Sequence, residues 1–137
     1  MARAEAGATS HAALRLRRGW FIAGIALVAA VIWLSLVPLP APPIVHGDKV
    51  EHLATYGVLM LWFMQLGGPL RRQTVTALAL VALGVGIEFL QDLTPYRMMD
   101  PVDMLANTAG VALGWVAAPP RTPNVLERLS RRIARDA

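Results

Sequence analysis

Four apolar segments limit what this chain can fold into. Each has about 17 residues, close to the shortest helix that can cross a hydrocarbon core about 30 Å thick. They run roughly over residues 20–36, 50–66, 74–90 and 102–118. Only 16% of all residues are charged, whereas a soluble domain usually carries about 25%. The pattern predicts an all-α fold, namely a polytopic membrane bundle of four transmembrane helices.

The segments divide the chain into a basic N-terminal arm (residues 1–18), a membrane domain (residues 19–118) and a basic tail (residues 119–137). The first segment follows an Arg cluster, as the core of a signal peptide does. However, it is longer than the roughly 7–15 residues of such a core, and the "PLPAPP" after it contains no small-x-small cleavage site. We therefore expect it to remain as a membrane anchor.

Lys and Arg are distributed asymmetrically among the connections. Eleven lie in the arm, in the loop between the second and third segments and in the tail, whereas only Lys49 and Arg97 lie on the other side. Since cytoplasmic loops are enriched in basic residues, both termini are predicted to be cytoplasmic in a bacterial inner membrane. The basic residues flank apolar segments, so we expect contact with membrane lipids and none with nucleic acid.

The tail contains an amphipathic pattern. One face of a helix would hold four apolar residues, and Asn124 with Glu127 three positions later forms a capping-box pattern. This predicts an amphipathic helix at the cytoplasmic lipid surface, with a frayed tail as the alternative. The apolar residues are Val125, Leu126, Leu129 and Ile133.

The second segment begins with polar residues in "GDKVEHLATY". Asp48 and Glu51 form a capping-box-like pair, which indicates a structural role in starting the helix. His52 and Tyr56 are spaced i, i+4 and therefore share a helix face. Helix capping does not explain them.

The third segment ends with acidic residues. Glu88 and Asp92 lie near a helix C-terminus, where negative charge opposes the macrodipole, and they repel each other at i, i+4 spacing. Gln91 lies between them. A compensating cation or proton is expected, and an ion pair between Glu88 and Arg97 is the structural explanation.

The fourth segment carries its polar residues near its N-terminal end. Asp100 before Pro101 is a strong helix start. Asp103 and Asn107 share a face deeper in the helix, and ionisable groups within a span are functional candidates. Partners from other helices must satisfy both side chains. Beyond them a ridge of small residues predicts close helix packing: Ala106, Gly110, Gly114 and Ala118.

Together, "DKVEHLATYGVL", "GIEFLQ" and "YRMMDPVDMLANTAGVALG" resemble the VanZ-like membrane family over about residues 20–118. The resemblance implies a small multi-helix integral membrane protein of the bacterial envelope. Through the family's namesake it also implies a link to resistance against the glycopeptide teicoplanin. The positions that match are Asp48, Lys49, His52, Tyr56, Glu88, Gln91, Arg97, Asp100, Asp103, Asn107 and Gly110.

The leading hypothesis is a non-enzymatic envelope protein whose outward-facing residues bind a lipid-linked or cell-wall component. Lys49 and Arg97 would hold phosphate or carboxylate. The predicted ligand-binding residues are Lys49, His52, Tyr56, Glu88, Gln91, Arg97, Asp103 and Asn107, with Asp48, Glu51, Asp100, Gly110 and Gly114 as structural residues.

Two alternatives remain. An intramembrane enzyme acting on a phospho- or glycolipid would use His52 as base or nucleophile, Asp103 to orient it and Arg97 to stabilise charge. A divalent ion held by His52, Glu88 and Asp103 is a variant of it, but the two nearby cations argue against a dedicated metal site, so we expect no metal or cofactor. The other alternative is an ion-paired plug that only stabilises the bundle.

Overall fold

The computed structural model describes residues 2–38 and 47–135, with side chains from residue 11 onward. Within these residues it contains five helices and no strand, which confirms the all-α prediction. The side chain of Arg3 and most of "PLPAPP" lie outside the described residues. The helices are α1 (Ala2–Leu36), α2 (Gly47–Met64), α3 (Leu70–Asp92), α4 (Pro101–Ala117) and α5 (Val125–Arg135).

Two helical stretches among the described residues are long and apolar enough to cross a membrane, His11–Leu36 and Leu70–Asp92. The bundle of four spans is therefore not confirmed. The physical reason lies in α2 and α4, which have 18 and 17 residues and so extend about 27 and 26 Å at 1.5 Å per residue. Charged side chains also occupy the first turns of both.

Helix α1 is longer than its apolar segment, because it continues as one helix through the basic arm. Only 6% of the most apolar 18-residue stretch of α1 is buried, so α1 does not resemble the core helix of a soluble protein. Ile22 and Trp33, for example, are about two-thirds exposed. Such an apolar exposed surface is typical of a helix that faces lipid.

Helices α2 and α4 form the closest crossing of the bundle, and glycines make it possible. A Cβ added at Gly110 would collide with the carbonyl oxygen of Leu53, and one at Gly114 would collide with the carbonyl oxygen of Gly57. The predicted small-residue ridge of α4 thus packs directly against the α2 backbone. Large side chains such as Met60 fill the core beside this crossing.

A reciprocal tryptophan pair joins α1 to α2. The indole Nε1 of Trp20 donates to the Trp62 carbonyl at 3.0 Å, and the Trp62 indole donates to the Trp20 carbonyl at 3.0 Å. The two rings stack with centroids 4.1 Å apart. Arg17 also donates to the carbonyl of Leu66 at 2.5 Å. These bonds hold α1 against the C-terminal end of α2.

Helix α5 lies against α1 and is attached to the end of α2. Asn124 Oδ1 accepts the Glu127 N–H at 2.9 Å, as the capping pattern predicts. Gln65 Oε1 accepts the Val125 N–H at 2.7 Å, and Leu126 is only 1% exposed. The tail is therefore docked rather than frayed. Its contact with a lipid surface remains a prediction.

Candidate functional site

Three helices bring polar side chains to one end of the bundle. They come from the first three turns of α2, the last turns of α3 and the first two turns of α4. Several of these side chains are both polar and buried, a combination that protein cores usually exclude. We call the following set the polar cluster: Lys49, His52, Tyr56, Glu88, Asp103 and Asn107.

Lys49 closes the rim of the polar cluster. Its Nζ lies 2.9 Å from Asp48, 2.5 Å from Asp100 and 2.6 Å from Asp103. Desolvation lowers the pKa of Lys49, but hydrogen bonds to the carboxylates outweigh it and leave that pKa above its ordinary value. Hydrogen bonds from Lys49 in turn lower the pKa of Asp48 and of Asp100. Lys49 is thus fully engaged by carboxylates.

His52 lies between two residues of α4. Its Nδ1 is 3.1 Å from Asn107 Oδ1, within hydrogen-bonding distance. Its Nε2 is 3.6 Å from Asp103 Oδ2, which is too long for a hydrogen bond. The prediction that residues of other helices contact Asp103 and Asn107 is therefore confirmed, since one imidazole of α2 contacts both.

Glu88 is completely buried, with 0% of its surface exposed. Its Oε2 accepts the backbone N–H of Asp100 at 3.1 Å, whereas its Oε1 has no hydrogen-bond partner in the described structure. One ligand atom each from His52, Glu88 and Asp103 lie within 4.8 Å of one another. The three helices therefore converge on one small polar volume.

Two other buried atoms of the polar cluster, Tyr56 Oη and Asn107 Nδ2, have neither a hydrogen-bond nor an ion-pair partner among the described residues, whereas Asp103 Oδ1 is contacted by Lys49 Nζ. Both side chains are at most 2% exposed. Leaving a buried polar group unsatisfied costs roughly 1–3 kcal/mol. Three such groups, with Glu88 Oε1, are an unusual concentration for one end of a small bundle.

Gly84 is a residue that the sequence analysis missed. A Cβ there would lie 3.0 Å from Asn107 Nδ2 and 3.2 Å from Tyr56 Cζ, so its small size leaves room for both side chains. Its position i−4 from Glu88 places it on the same helix face. That spacing could have identified it.

The capping predictions have mixed outcomes. Asp100 caps α4, since its side chain accepts the Val102 N–H at 2.8 Å and Pro101 follows. Asp48 lies inside the first turn of α2 and contacts Lys49, because α2 already begins at Gly47. Glu51 is exposed, and Asp92 Oδ1 accepts the Met99 N–H at 3.2 Å.

Gln91 and Arg97 do not join the contacts of the polar cluster. Gln91 Nε2 donates to the Ser35 carbonyl of α1 at 3.0 Å, which makes it a tie between helices. Arg97 lies half-buried in the α3–α4 loop and forms no salt bridge with the described residues. The expected pair between Glu88 and Arg97 is absent there. Glu88 is fully buried and accepts the Asp100 N–H, whereas Arg97 remains partly exposed in the loop.

The charges of this region favour some ligands over others. Three carboxylates, those of Asp48, Asp100 and Asp103, contact Lys49, and Glu88 adds a fourth carboxyl group to the described part of this region. An anion within the cluster would meet net repulsion. A hydroxyl-rich group or a cation would instead find hydrogen-bond acceptors and negative charge.

Comparison with known proteins gives two matches. A sequence model of the VanZ/LLP1 family matches residues 8–122. An uncharacterised protein of the fission yeast Schizosaccharomyces pombe is 33% identical over 107 residues, which cover 75% of this chain and 63% of that protein. The chain thus spans less than two thirds of that relative's length. No solved structure matches.

Proposed function

This chain belongs to the VanZ/LLP1 family, and we propose that it is a non-enzymatic multi-pass membrane protein that binds the polar headgroup of a lipid-linked molecule in its polar cluster. The proposal rests on three buried atoms of the polar cluster that have neither hydrogen-bond nor ion-pair partners among the described residues: Tyr56 Oη, Glu88 Oε1 and Asn107 Nδ2. A bound headgroup with hydroxyl or amide groups would satisfy them. Ligand binding would then recover a free-energy cost that the free protein bears.

The exposure of the side chains supports access from the membrane surface. Exposure falls from 37% at Asp100 to 23% at Lys49, 17% at His52 and 11% at Asp103, and Asn107 is 1% exposed. A headgroup entering at this end would therefore meet polar groups at every depth. A purely structural plug would instead have its buried polar atoms paired with one another.

The charge distribution supports one orientation of such a headgroup. Lys49 is already bound by three carboxylates, so it is not available to hold a phosphate. Arg97 forms no salt bridge with the described residues, and its guanidinium has the fork geometry that binds phosphate. We assign the phosphate of a lipid-linked ligand to Arg97 and the hydroxyl-rich part to Asp103 and Asn107.

The biological context of this proposal is the bacterial envelope. The residues that match the VanZ-like pattern include the whole polar cluster, and the family's namesake links it to teicoplanin. A protein that binds a lipid-linked cell-wall component would alter access of a glycopeptide to its target. Expression of the wild-type chain is therefore expected to raise teicoplanin tolerance of a susceptible bacterium.

The binding proposal predicts that Asn107→Ala reduces the lipid-linked molecules that co-purify with the protein by about tenfold, since one buried hydrogen bond is worth roughly 1–1.5 kcal/mol. Mass spectrometry of the extracted lipids measures this. Thr108→Val is the matched control, because the neighbouring Thr108 is exposed and bonds only within its own helix. Equal lipid content in wild type and Asn107→Ala, with both folded, contradicts the proposal.

The topology proposal has a separate prediction. With both termini cytoplasmic, alkaline phosphatase fused after Ala137 is expected to be inactive, whereas a fluorescent protein fused there is expected to fluoresce. A fusion in the loop at Arg97 should show the opposite pattern. Active phosphatase at the C-terminus would place the polar cluster on the cytoplasmic side and overturn the envelope ligand.

The alternative is an enzyme acting on a phospho- or glycolipid headgroup, and the position of His52 favours it. Its Nδ1 is held by Asn107 while Nε2 faces the buried polar volume near Asp103, as a general base would. Incubation of the purified chain with radiolabelled membrane lipid distinguishes the two functions. Turnover that His52→Gln abolishes would establish the enzyme, and binding without turnover supports the leading proposal.

A further inference from the structure

We propose that His52, Glu88 and Asp103 bind a divalent transition-metal cation of the zinc type. Each residue comes from a different helix of the bundle, and one ligand atom of each lies within 4.8 Å of the others. The site would be part of the proposed headgroup site. The inference rests on that function only for its biological purpose, since metal binding can be measured by itself.

The donor set suits such a cation. Imidazole nitrogen and carboxylate oxygen are both zinc ligands, and zinc sites that keep a position for water or substrate use three protein ligands. Zinc ligands lie about 2.0–2.2 Å from the ion, so atoms bound to the same ion are roughly 3–4 Å apart. Side-chain movements of about 1 Å would bring the three atoms into that range.

The hydrogen bond of His52 leaves the correct nitrogen for a metal. Asn107 Oδ1 can only accept, so the His52 Nδ1 at 3.1 Å is the nitrogen that donates. In the neutral imidazole, Nε2 then carries a lone pair, and this nitrogen lies 3.6 Å from Asp103 Oδ2. Two lone pairs at this distance repel each other unless a proton or a metal cation lies between them. Metal-binding histidines usually have this arrangement, with the second nitrogen held by an acceptor.

Glu88 provides a second, independent observation. Its carboxylate is 0% exposed, and Oε1 has no hydrogen-bond partner among the described residues. A buried carboxylate oxygen without a partner is costly, and a metal ion is one of the partners that carboxylates accept. His52 and Asp103 are the neighbours with which it would share that ion.

Lys49 does not prevent cation binding. It lies 2.6 Å from Asp103 Oδ1, whereas the metal would bind through Oδ2. Asp48 and Asp100 also contact Lys49 and neutralise it. After this pairing the carboxylates still outnumber Lys49, and a bound dication would reduce the remaining negative charge.

The test uses the full chain without a His-tag, purified in detergent and stripped with EDTA. Isothermal titration with ZnCl2 is expected to give one site per chain. Glu88→Gln and Asp103→Asn should each weaken Zn²⁺ binding at least tenfold, and Asn107→Ala, which removes the partner of His52, roughly 10–100-fold. Matched controls are His11→Ala for the imidazole and Glu51→Gln for the carboxylates, since both residues are exposed and should leave binding unchanged.

X-ray absorption of the zinc-loaded wild type tests the proposal even if a variant fails to fold. One imidazole nitrogen and carboxylate oxygens in the first shell support it, and two or more imidazoles overturn it. No Zn²⁺ binding by the wild type, or unchanged binding by folded Glu88→Gln, also overturns it. Lipid co-purification from the same preparations separates the two proposals: lipid retained without zinc binding refutes only the metal site, and zinc binding without lipid refutes only the headgroup function.

Discussion

Replacing Gly110 by valine is expected to prevent α2 and α4 from assembling. Even one added carbon would collide with the carbonyl oxygen of Leu53, and it would lie 3.1 Å from the backbone nitrogen of Gly57. Both are backbone atoms, which cannot rotate away as a side chain can. Over-packing costs roughly 1–3 kcal/mol when neighbours can adjust and more when they cannot. A marginally stable bundle would lose most of its folded population.

Gly86→Ala is the matched control for Gly110→Val. Gly86 is also helical, but a Cβ there has no neighbour within 4 Å. Alanine should therefore be neutral or gain up to about 1 kcal/mol from helix propensity. Monodisperse yield and the thermal midpoint in detergent measure both effects. A Gly110→Val protein as stable as wild type would mean that α2 and α4 do not cross this closely.

The second large effect is expected for Lys49→Met. This change removes the cation that contacts Asp103, whose side chain is only 11% exposed. Breaking a fully buried pair costs roughly 3–5 kcal/mol. Because the Lys49 side chain is 23% exposed and water screens the rim, we expect roughly 1–3 kcal/mol. The free energy of unfolding in detergent measures the loss.

A double change tests the cause of that loss. Lys49→Met with Asp103→Asn should recover part of the stability, because the buried negative charge is then also removed. Arg97→Met is the control, since Arg97 forms no salt bridge with the described residues, and it should change the free energy of unfolding little. If Arg97→Met destabilises more than Lys49→Met, the cation that holds this end together is the loop arginine after all.

The pH dependence of stability has a definite sign at the same rim. The folded-state pKa values of Asp48 and Asp100 lie below their ordinary value of 3.8 because Lys49 hydrogen-bonds to both. A carboxyl group whose pKa is lower in the folded than in the unfolded state stabilises the folded state at pH values above its unfolded-state pKa. This stabilisation is lost as the pH falls through the folded-state pKa. Wild type should therefore lose stability below about pH 4 more steeply than Lys49→Met.

Local patterns predicted much of the site. The i, i+4 spacing of His52 with Tyr56, and of Asp103 with Asn107, correctly placed each pair on a shared face. Four-residue spacing of small residues identified the face of α4 that meets α2. The Asp-Pro sequence identified the start of α4. Each of these patterns depends on the geometry of one helix, which sequence spacing determines directly.

Contacts between elements could not be predicted in the same way. Lys49 and Arg97 were equivalent as the two cations of one side, and only the packing of α2 beside α4 selects Lys49. The direction of the α3–α4 loop decides where Arg97 lies, and no periodicity describes a loop. The spacing from Glu88 could place Gly84 on the same helix face, but it could not show which side chains would lie against it. Its importance depends on Tyr56 and Asn107, which come from two other helices.

The stacked pair of Trp20 and Trp62 gives the protein a built-in optical probe. Indoles whose centroids are 4.1 Å apart are close enough for their electronic transitions to couple, which produces a paired positive and negative band in circular dichroism. The signal exists only while α1 is seated on α2, and Trp33 and Trp115 do not belong to this stack. Detachment of α1 can therefore be followed in the unmodified chain, separately from loss of helix.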